Sequence, residues 1–340
     1  GLKTTSVAGG CVKLLIELSM ECETLARSEA VSAATALGGA PKVLTLDEGV
    51  MVMSTRADPL ALLRRLALCH KVSEWLGSTD LQGLDSVVER AEVPGPIRVR
   101  STRVGEAQRD VDLGAATRRA GGLIGKARGV DLHTPASEVR LVFSGKVHVG
   151  RLIGSVDRTS FERRMNKHLP FHCPVSLHPK FARALVNLTR VPDGGTVLDP
   201  FCGTGAILAE AHLAGLKAVG TDISEKMLEG ARANLRHLGA SAVTRECDVG
   251  SIDGAVGEVD GIATDPPYGR ATSTNGEPLD ELYARSFRAF GDVLSRGCRL
   301  AIAVPDVSAL EAAHGFRVLE SHPLWVHRSL TRNFCVLERG

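Results

Sequence analysis

Aromatic residues are scarce in this 340-residue sequence: 4% in all, with two Trp, two Tyr and nine Phe. Its cores must therefore be filled mainly by Leu, Val, Ala and Ile. No apolar run approaches the roughly 20 residues that cross a bilayer as a helix, so no membrane role is expected. Gly1 to Gly10 lacks a basic region ahead of an apolar one, the pattern of a secretory signal, and the expected location is the cytoplasm. Eight cysteines are scattered at Cys11, Cys22, Cys69, Cys173, Cys202, Cys247, Cys298 and Cys335, with no C-x-x-C pair among them. That argues against zinc-ribbon and thioredoxin-type sites. No metal is expected, and the thiols are expected to be buried and reduced. A strong charge of one sign is missing as well. The net charge is +2, which alone does not ask for a polyanionic partner.

What is present is a chain of ordinary soluble composition, 44% hydrophobic and 24% charged, long enough for two or three domains. Its basic residues are unevenly placed. Arg98, Arg100, Arg103, Arg118, Arg119, Lys126 and Arg128, then Arg158, Arg163, Arg164 and Lys167, fall in one region of a near-neutral sequence. A phosphate-facing surface has this pattern, and so does a solvated face balanced by acids elsewhere.

Up to about Leu81 the sequence reads as a small α/β unit. It has a strand-like run at Leu14–Leu18, a helix over Cys22–Gly38, and strands at Lys42–Thr45 and Val50–Ser54 around the turn Asp47-Glu48-Gly49. A further helix starts at Asp58-Pro59, with Leu60, Leu63, Leu66 and Ala67 on one side. From Pro94 a second segment offers a strand at Ile97–Arg100 and a helix over Asp112–Lys126, weakened by Gly114, Gly121 and Gly122. A hairpin pairing Glu138–Phe143 with Lys146–Ile153 follows. Asp157–Pro174 is polar, basic and broken by prolines, as a linker is. Beyond Val175, strands at Thr196–Leu198, Ala218–Gly220, Val243–Arg245, Val259–Thr264 and Leu300–Val304 alternate with helical stretches, among them Ala206–Ala214 and Ser224–Leu238. That alternation predicts a doubly wound parallel α/β sheet.

Acids stand at the ends of four of these strands. In Val197-Leu198-Asp199-Pro200-Phe201-Cys202-Gly203-Thr204-Gly205, a buried strand runs into a turn where Gly203 and Gly205 let a ligand approach the backbone. A dinucleotide turn fits poorly, because Leu208 stands where G-x-G-x-x-G needs its third glycine. Asp199 would repel a pyrophosphate and suits a cation, such as a sulfonium cofactor that also carries an ammonium group. Asp222, in Gly220-Thr221-Asp222-Ile223-Ser224, can accept two ribose hydroxyls; a helix cap is the plainer role for the same residue. Asp248 can accept an adenine amino group, or simply sit in a turn.

Asp265-Pro266-Pro267-Tyr268-Gly269 follows the strand and sets the reaction type. Its prolines stiffen the loop and fix the carbonyls before them outward. An exocyclic amine on a base is a weak nucleophile, because its lone pair is delocalised into the ring. The Asp265 carboxylate and the Pro266 carbonyl, accepting its two hydrogens, would free that lone pair. Tyr268 would give the extracted base a face to stack on.

These motifs resemble those of class I methyltransferases that modify amino groups, and the Asp-Pro-Pro-Tyr stretch is shared with DNA adenine methyltransferases. A longer stretch narrows the match. Phe171-His172-Cys173-Pro174-Val175-Ser176-Leu177-His178-Pro179-Lys180-Phe181, continuing to Thr189, is similar to the segment that precedes the catalytic domain in archaeal THUMP-containing tRNA guanine-10 N2-methyltransferases. Asp199–Gly205 and Thr264–Arg270 continue the match in order. The resemblance is close over Phe171–Tyr283 and looser before it.

It implies a Rossmann-like methyltransferase domain over 176–340, a linker over 156–175, and two small α+β domains ahead of them. These are a ferredoxin-like domain over 1–57 and a THUMP-like RNA-binding domain over 58–155. It implies S-adenosyl-L-methionine held by His178, Asp199, Gly203, Gly205, Asp222, Ile223 and Asp248, and chemistry at Asp265, Pro266, Pro267 and Tyr268. RNA contact is implied through Arg118, Arg119, Lys126 and Arg128. Ala206 departs from the family, which frequently has another Gly there. The implied partner is tRNA, and the implied activity is N2 methylation of guanine 10, once or twice, by a monomer. A tRNA guanine-6 or ribosomal RNA guanine N2-methyltransferase is the nearest alternative. A non-catalytic RNA-binding protein with a relic fold is a different one, and the intact Asp265-Pro266-Pro267-Tyr268 argues against it.

Overall fold

The computed structural model describes residues 10–173, 176–268, 276–327 and 330–340. Pro174, Val175, Gly269 and Arg270 of the motifs above lie outside the described residues. The chain divides into two units. The first takes the residues up to Glu23 together with Gly38–Leu63 and Cys69–Val156; the second takes Thr24–Leu37, Arg64–Leu68 and Asp157–Gly340. Among the described residues no helix is long and apolar enough to cross a membrane.

From the N-terminus the elements are β1 (Val12–Leu18), α1 (Glu23–Ala36), β2 (Lys42–Asp47), β3 (Val50–Thr55), α2 (Pro59–Arg65), β4 (Cys69–Thr79), α3 (Leu84–Glu89), β5 (Ile97–Arg103), α4 (Leu113–Arg128), β6 (Ser137–Phe143) and β7 (Val147–Ser155). Their seven strands form one sheet in the order β2-β3-β1-β4-β7-β6-β5, antiparallel except for the pair β5–β6. Residues 1–57 and 58–155, expected as separate domains, thus share a continuous sheet. In β1, Leu14, Leu15 and Ile16 are all fully buried, so its sequence cannot show the alternation of a half-exposed strand. The 11-residue β4 has no counterpart in the sequence reading. Register shifts at Val72/Ser73 and Trp75/Gly77 interrupt its period. Asp112 caps α4 by accepting the Ala115 amide at 3.0 Å. Ala120 and Ile124 face the core, while Arg118, Arg119, Lys126 and Arg128 are exposed.

The chain continues through α5 (Arg158–Arg163), α6 (Pro179–Leu188), β8 (Thr196–Asp199), α7 (Ala206–Leu213), β9 (Lys217–Asp222), α8 (Glu225–His237), β10 (Val243–Glu246), α9 (Ile252–Val256), β11 (Val259–Thr264), α10 (Leu279–Val293), β12 (Leu294–Val304), β13 (Phe316–His327) and β14 (Leu330–Arg339). The second sheet has the order β10-β9-β8-β11-β12-β14-β13, with five parallel strands and β14 antiparallel to both neighbours. The doubly wound expectation holds, and the five strands read from sequence are all present. Helix α10 and the hairpin β13–β14 are additions. Phe287 and Phe290 of α10 pack with Ile262, Leu300 and Ile302 of the sheet.

The expected linker is a packed segment. Asp157 caps α5, Phe161 is buried, and Arg164 pairs with Glu210 at 2.6 Å. The Phe171 backbone is held in both directions by the Asn234 side chain, at 2.9 and 2.8 Å. Of the eight cysteines, Cys22, Cys69, Cys202 and Cys335 are buried as expected; Cys11 is exposed and the other three are half-buried.

Helix α1 contributes an acid to the second unit's interior. Glu29 is fully buried. One of its oxygens accepts the Ala67 amide and the Asn187 side-chain amide, both at 2.9 Å, and the other accepts the Leu68 amide at 2.8 Å. Burial pushes the Glu29 carboxyl up to about 7, against the pull of those bonds. Nearby, Arg65 pairs with Asp193 at 2.9 Å and donates to the Val191 carbonyl at 2.9 Å. The catalytic half of the sequence is therefore completed by two pieces of chain from its N-terminal quarter.

Candidate active site

The carboxyl ends of β8, β9, β10 and β11 open onto a cavity of about 660 Å³. Asp199, Asp222, Asp248 and Asp265 all line it, with Gly203, Ile223 and Pro267. Topology brings them together, because parallel strands deliver their last residues to the same edge and the order reverses at β8. Gly203 (φ +48) and Gly205 (φ +84) turn the chain from β8 into α7 in the left-handed region. Only Gly203 faces the cavity. A Cβ on Gly205 would stand 3.2 Å from the Ala231 Cβ, so Gly205 serves the approach of α7 to α8.

Asp199 is 2% exposed. Its Oδ1 accepts the Thr264 hydroxyl at 2.8 Å and the Phe201 amide at 3.2 Å. Burial, reinforced by the charges of Asp265 and Asp222, pushes the carboxyl up to about 7 in spite of those bonds. Asp222 fastens the glycine turn to the end of β9. It accepts the Gly203 amide at 3.0 Å on one oxygen and the Ser224 amide at 2.9 Å on the other. The cap of α8 is Ser224, whose hydroxyl accepts the Met227 amide at 3.4 Å. Each Asp222 oxygen retains acceptor capacity for a hydroxyl, and the neighbouring Ile223 side chain is 53% exposed. Asp248 accepts the Gly250 amide at 2.8 Å and pairs with Arg285 of α10. Arg285 also binds Glu277 at 2.7 Å. Arg285 and Glu277 line the cavity; with α10 unassigned, the sequence offered no reason to choose them.

Asp265 stands beside an unforeseen cation. Arg332 of β14 reaches its Oδ2 at 3.3 Å, and both side chains are 14% exposed. The Tyr268 hydroxyl donates to Asp265 Oδ1 and accepts from Arg332 Nε at 2.8 Å. The guanidinium lies 5.4 Å from the Tyr268 ring centroid. Burial raises the Asp265 carboxyl, while Arg332 and the Tyr268 hydroxyl draw it back. Arg332 follows Tyr268 by 64 residues and carries no motif.

Besides Gly205, three expected contacts are not among the residues that line the cavity. His178 caps α6, its ring accepting the Lys180 amide at 3.2 Å with Nε2 3.4 Å from Glu162. Pro266 and Tyr268 are not among the lining residues, though their neighbours Asp265 and Pro267 are. The lining combines carboxylates with an apolar wall of Ile223, Met227, Val249 and Leu282. That set fits a ligand with a cationic end, vicinal hydroxyls and a flat ring, which is the chemistry of an adenosyl sulfonium.

The UPF0020 family of RMKL-like methyltransferase domains matches residues 167–333. The tRNA (guanine(10)-N2)-dimethyltransferase of Methanothermobacter thermautotrophicus is 32% identical over 338 residues, spanning 96% of this chain and 100% of that one. The tRNA (guanine(10)-N2)-dimethyltransferase of Pyrococcus abyssi is 36% identical over 293 residues, covering 83% and 87%. The crystal structure of TrmN from Thermus thermophilus shares the fold, with a TM-score of 0.55 and 24% identity over 96% of this chain and 100% of that chain. Identity that extends through both units, beyond the methyltransferase domain, is what decides the family. The chain belongs to the tRNA (guanine(10)-N2)-dimethyltransferase family.

Proposed function

We propose that the protein is an S-adenosyl-L-methionine-dependent methyltransferase acting on the N2 amine of guanine 10 in tRNA. One observation carries the reading: four acids at adjacent strand ends, one of them opening the Asp-Pro-Pro-Tyr loop, face a single cavity. The substrate class rests on the family. When bound, S-adenosyl-L-methionine supplies an electrophilic methyl group. Asp199 faces the cationic end of the cofactor, Asp222 takes the ribose hydroxyls, and Asp248 with Ile223 holds the adenine. The Gly203 backbone lets the cofactor lie close to the turn.

The target amine is paired within folded RNA, so the base must leave its stack to reach the cavity. Asp265 and the Pro266 carbonyl then accept its two hydrogens and point the nitrogen lone pair into the cavity. That alignment is a large part of catalysis in a direct displacement. Asp265 offsets the positive charge that develops on the nitrogen and takes the proton the product releases. One hydrogen remains on N2 after the first transfer, so the Asp265 contact survives for a second. The THUMP-like residues 58–155 bind the RNA, with Arg118, Arg119, Lys126 and Arg128 on α4 contacting phosphates.

The test is mass-spectrometric mapping of nucleosides on an unmodified tRNA transcript after incubation with protein and cofactor. N2-methylguanosine, then N2,N2-dimethylguanosine, is expected at position 10. Methylation at another nucleotide overturns the assignment of the position, and no methylation overturns the reading.

A further inference from the structure

We propose that Arg332 is a positioning residue of the methyl-transfer site, holding the Asp265 carboxylate and the Tyr268 ring in the arrangement the target amine meets. The proposal rests on the reading of Asp265 given above. Its basis is a closed ring of three side chains. Arg332 Nε donates to the Tyr268 hydroxyl oxygen at 2.8 Å, the Tyr268 hydroxyl donates to Asp265 Oδ1, and Arg332 Nη2 lies 3.3 Å from Asp265 Oδ2.

The guanidinium fixes the direction of one of these bonds. A guanidinium donates and never accepts. The phenol oxygen therefore accepts from Arg332, and its own proton is directed at Asp265. Asp265 thus has a hydroxyl donor on Oδ1 and a guanidinium charge 3.3 Å from Oδ2, which together favour a carboxylate with acceptor capacity left for an amine. Without Arg332 the phenol oxygen loses that donor, and a protonated Asp265 can donate to it instead. The surroundings make that protonation favourable. Asp265 is largely withdrawn from water, Asp199 from β8 adds a negative charge when ionised, and Tyr283 from α10 offers only a neutral hydroxyl near the Pro267 carbonyl. Among the groups described around Asp265, Arg332 is the cation. Its guanidinium also lies over the Tyr268 ring, 5.4 Å from the centroid.

Register secures the placement. Arg332 pairs with the buried Leu324 across β13–β14, and Asn333 pairs with Val304 of β12. The arginine is thus carried on a sheet strand and not on a loop, as a positioning group needs.

The experiment compares Arg332→Met and Arg332→Lys with the full-length wild type. Single-turnover methyl transfer to a tRNA transcript is measured across pH at saturating cofactor and tRNA. Arg332→Met should slow transfer at neutral pH by at least about tenfold. Its acid limb should move to higher pH, with part of the rate returning in alkali. Arg332→Lys, which keeps the charge, should keep the limb near that of the wild type. Cofactor affinity by calorimetry should stay within about threefold for both. A rate profile for Arg332→Met parallel to the wild type, whether lowered or not, means a structural role only and overturns the proposal.

A second readout does not depend on activity. Carbon-13 NMR titration of the Asp265 carboxyl, assigned with Asp265→Asn, should show it protonating at higher pH in Arg332→Met. An unchanged titration also overturns the proposal. If instead the wild type methylates no tRNA, the catalytic reading fails while the NMR result still decides whether Arg332 holds the carboxylate.

Discussion

Asp199 makes cofactor binding depend on pH in a calculable way. In the free protein its burial, with Asp265 and Asp222 nearby, places its titration at about 7. A cationic ligand end reverses that balance. Returning the carboxyl from about 7 to its ordinary 3.8 corresponds to about 4 kcal/mol. Below about pH 7 the free site holds a proton that the complex does not, so binding must expel it. Affinity should therefore fall by up to about tenfold for each pH unit below 7, and the dependence should vanish above it.

Isothermal titration with S-adenosyl-L-methionine at pH 6 and 8, in buffers of different ionisation heat, counts the protons. About one should be released at pH 6 and almost none at pH 8. Asp199→Asn supplies the background from the ligand's own amine. Equal proton counts for the wild type and Asp199→Asn at pH 6 would refute the argument. The same group bears on stability. A folded-state value raised above the unfolded one contributes fully below about pH 4, and that contribution is lost as pH rises through about 7. Saturating cofactor should remove the loss.

Other expectations concern single sites. Asp265→Ala should leave cofactor and tRNA binding nearly intact while single-turnover transfer falls by roughly 10²–10³-fold; a rate within a few-fold of wild type would sink the proposed chemistry. Asp222→Ala should weaken S-adenosyl-L-methionine by at least about tenfold, since charge-assisted bonds contribute about 1.5–3 kcal/mol each. An unchanged Kd in calorimetry would leave the carboxylate serving only the Gly203 and Ser224 amides. Replacing Arg118, Arg119, Lys126 and Arg128 together by Gln should weaken tRNA binding and flatten its dependence on salt without altering cofactor affinity; an unaltered salt slope would remove α4 from the RNA surface. Glu29→Ala should cost about 3 kcal/mol or more in urea unfolding, because two backbone amides and Asn187 lose a buried acceptor. A loss under about 1 kcal/mol would mean water replaces the carboxylate.

The site was legible wherever chemistry is local in the sequence. Asp199, Gly203, Asp222, Asp248 and Asp265 sit at strand ends, and a parallel sheet converts that position into a shared cavity. His178 caps α6, and a His-Pro pair reads the same in sequence whether its ring caps a helix or meets a ligand. Arg332 and Arg285 were invisible for another reason. Both come from elements beyond the motif strands, and only pairing or packing brings them to Asp265 and Asp248. In the N-terminal half, β4 hid behind its bulges and β1 behind burial on both faces. The assignment of α1 to the second unit had no signature at all, since Glu29 looks in sequence like any acid of an Ala-rich helix.

That assignment sets a timetable for synthesis. Glu29 meets the Leu68 amide across 39 residues and Asn187 across 158. At about 5–20 residues per second, its nearer partner leaves the ribosome within seconds, whereas Asn187 is roughly 8–30 seconds behind. The first sheet can close in that interval, while Glu29 still lacks its Asn187 partner. A ribosome that stalls after Val156 would therefore release a chain whose first sheet is complete and whose Glu29 lacks one of its three partners.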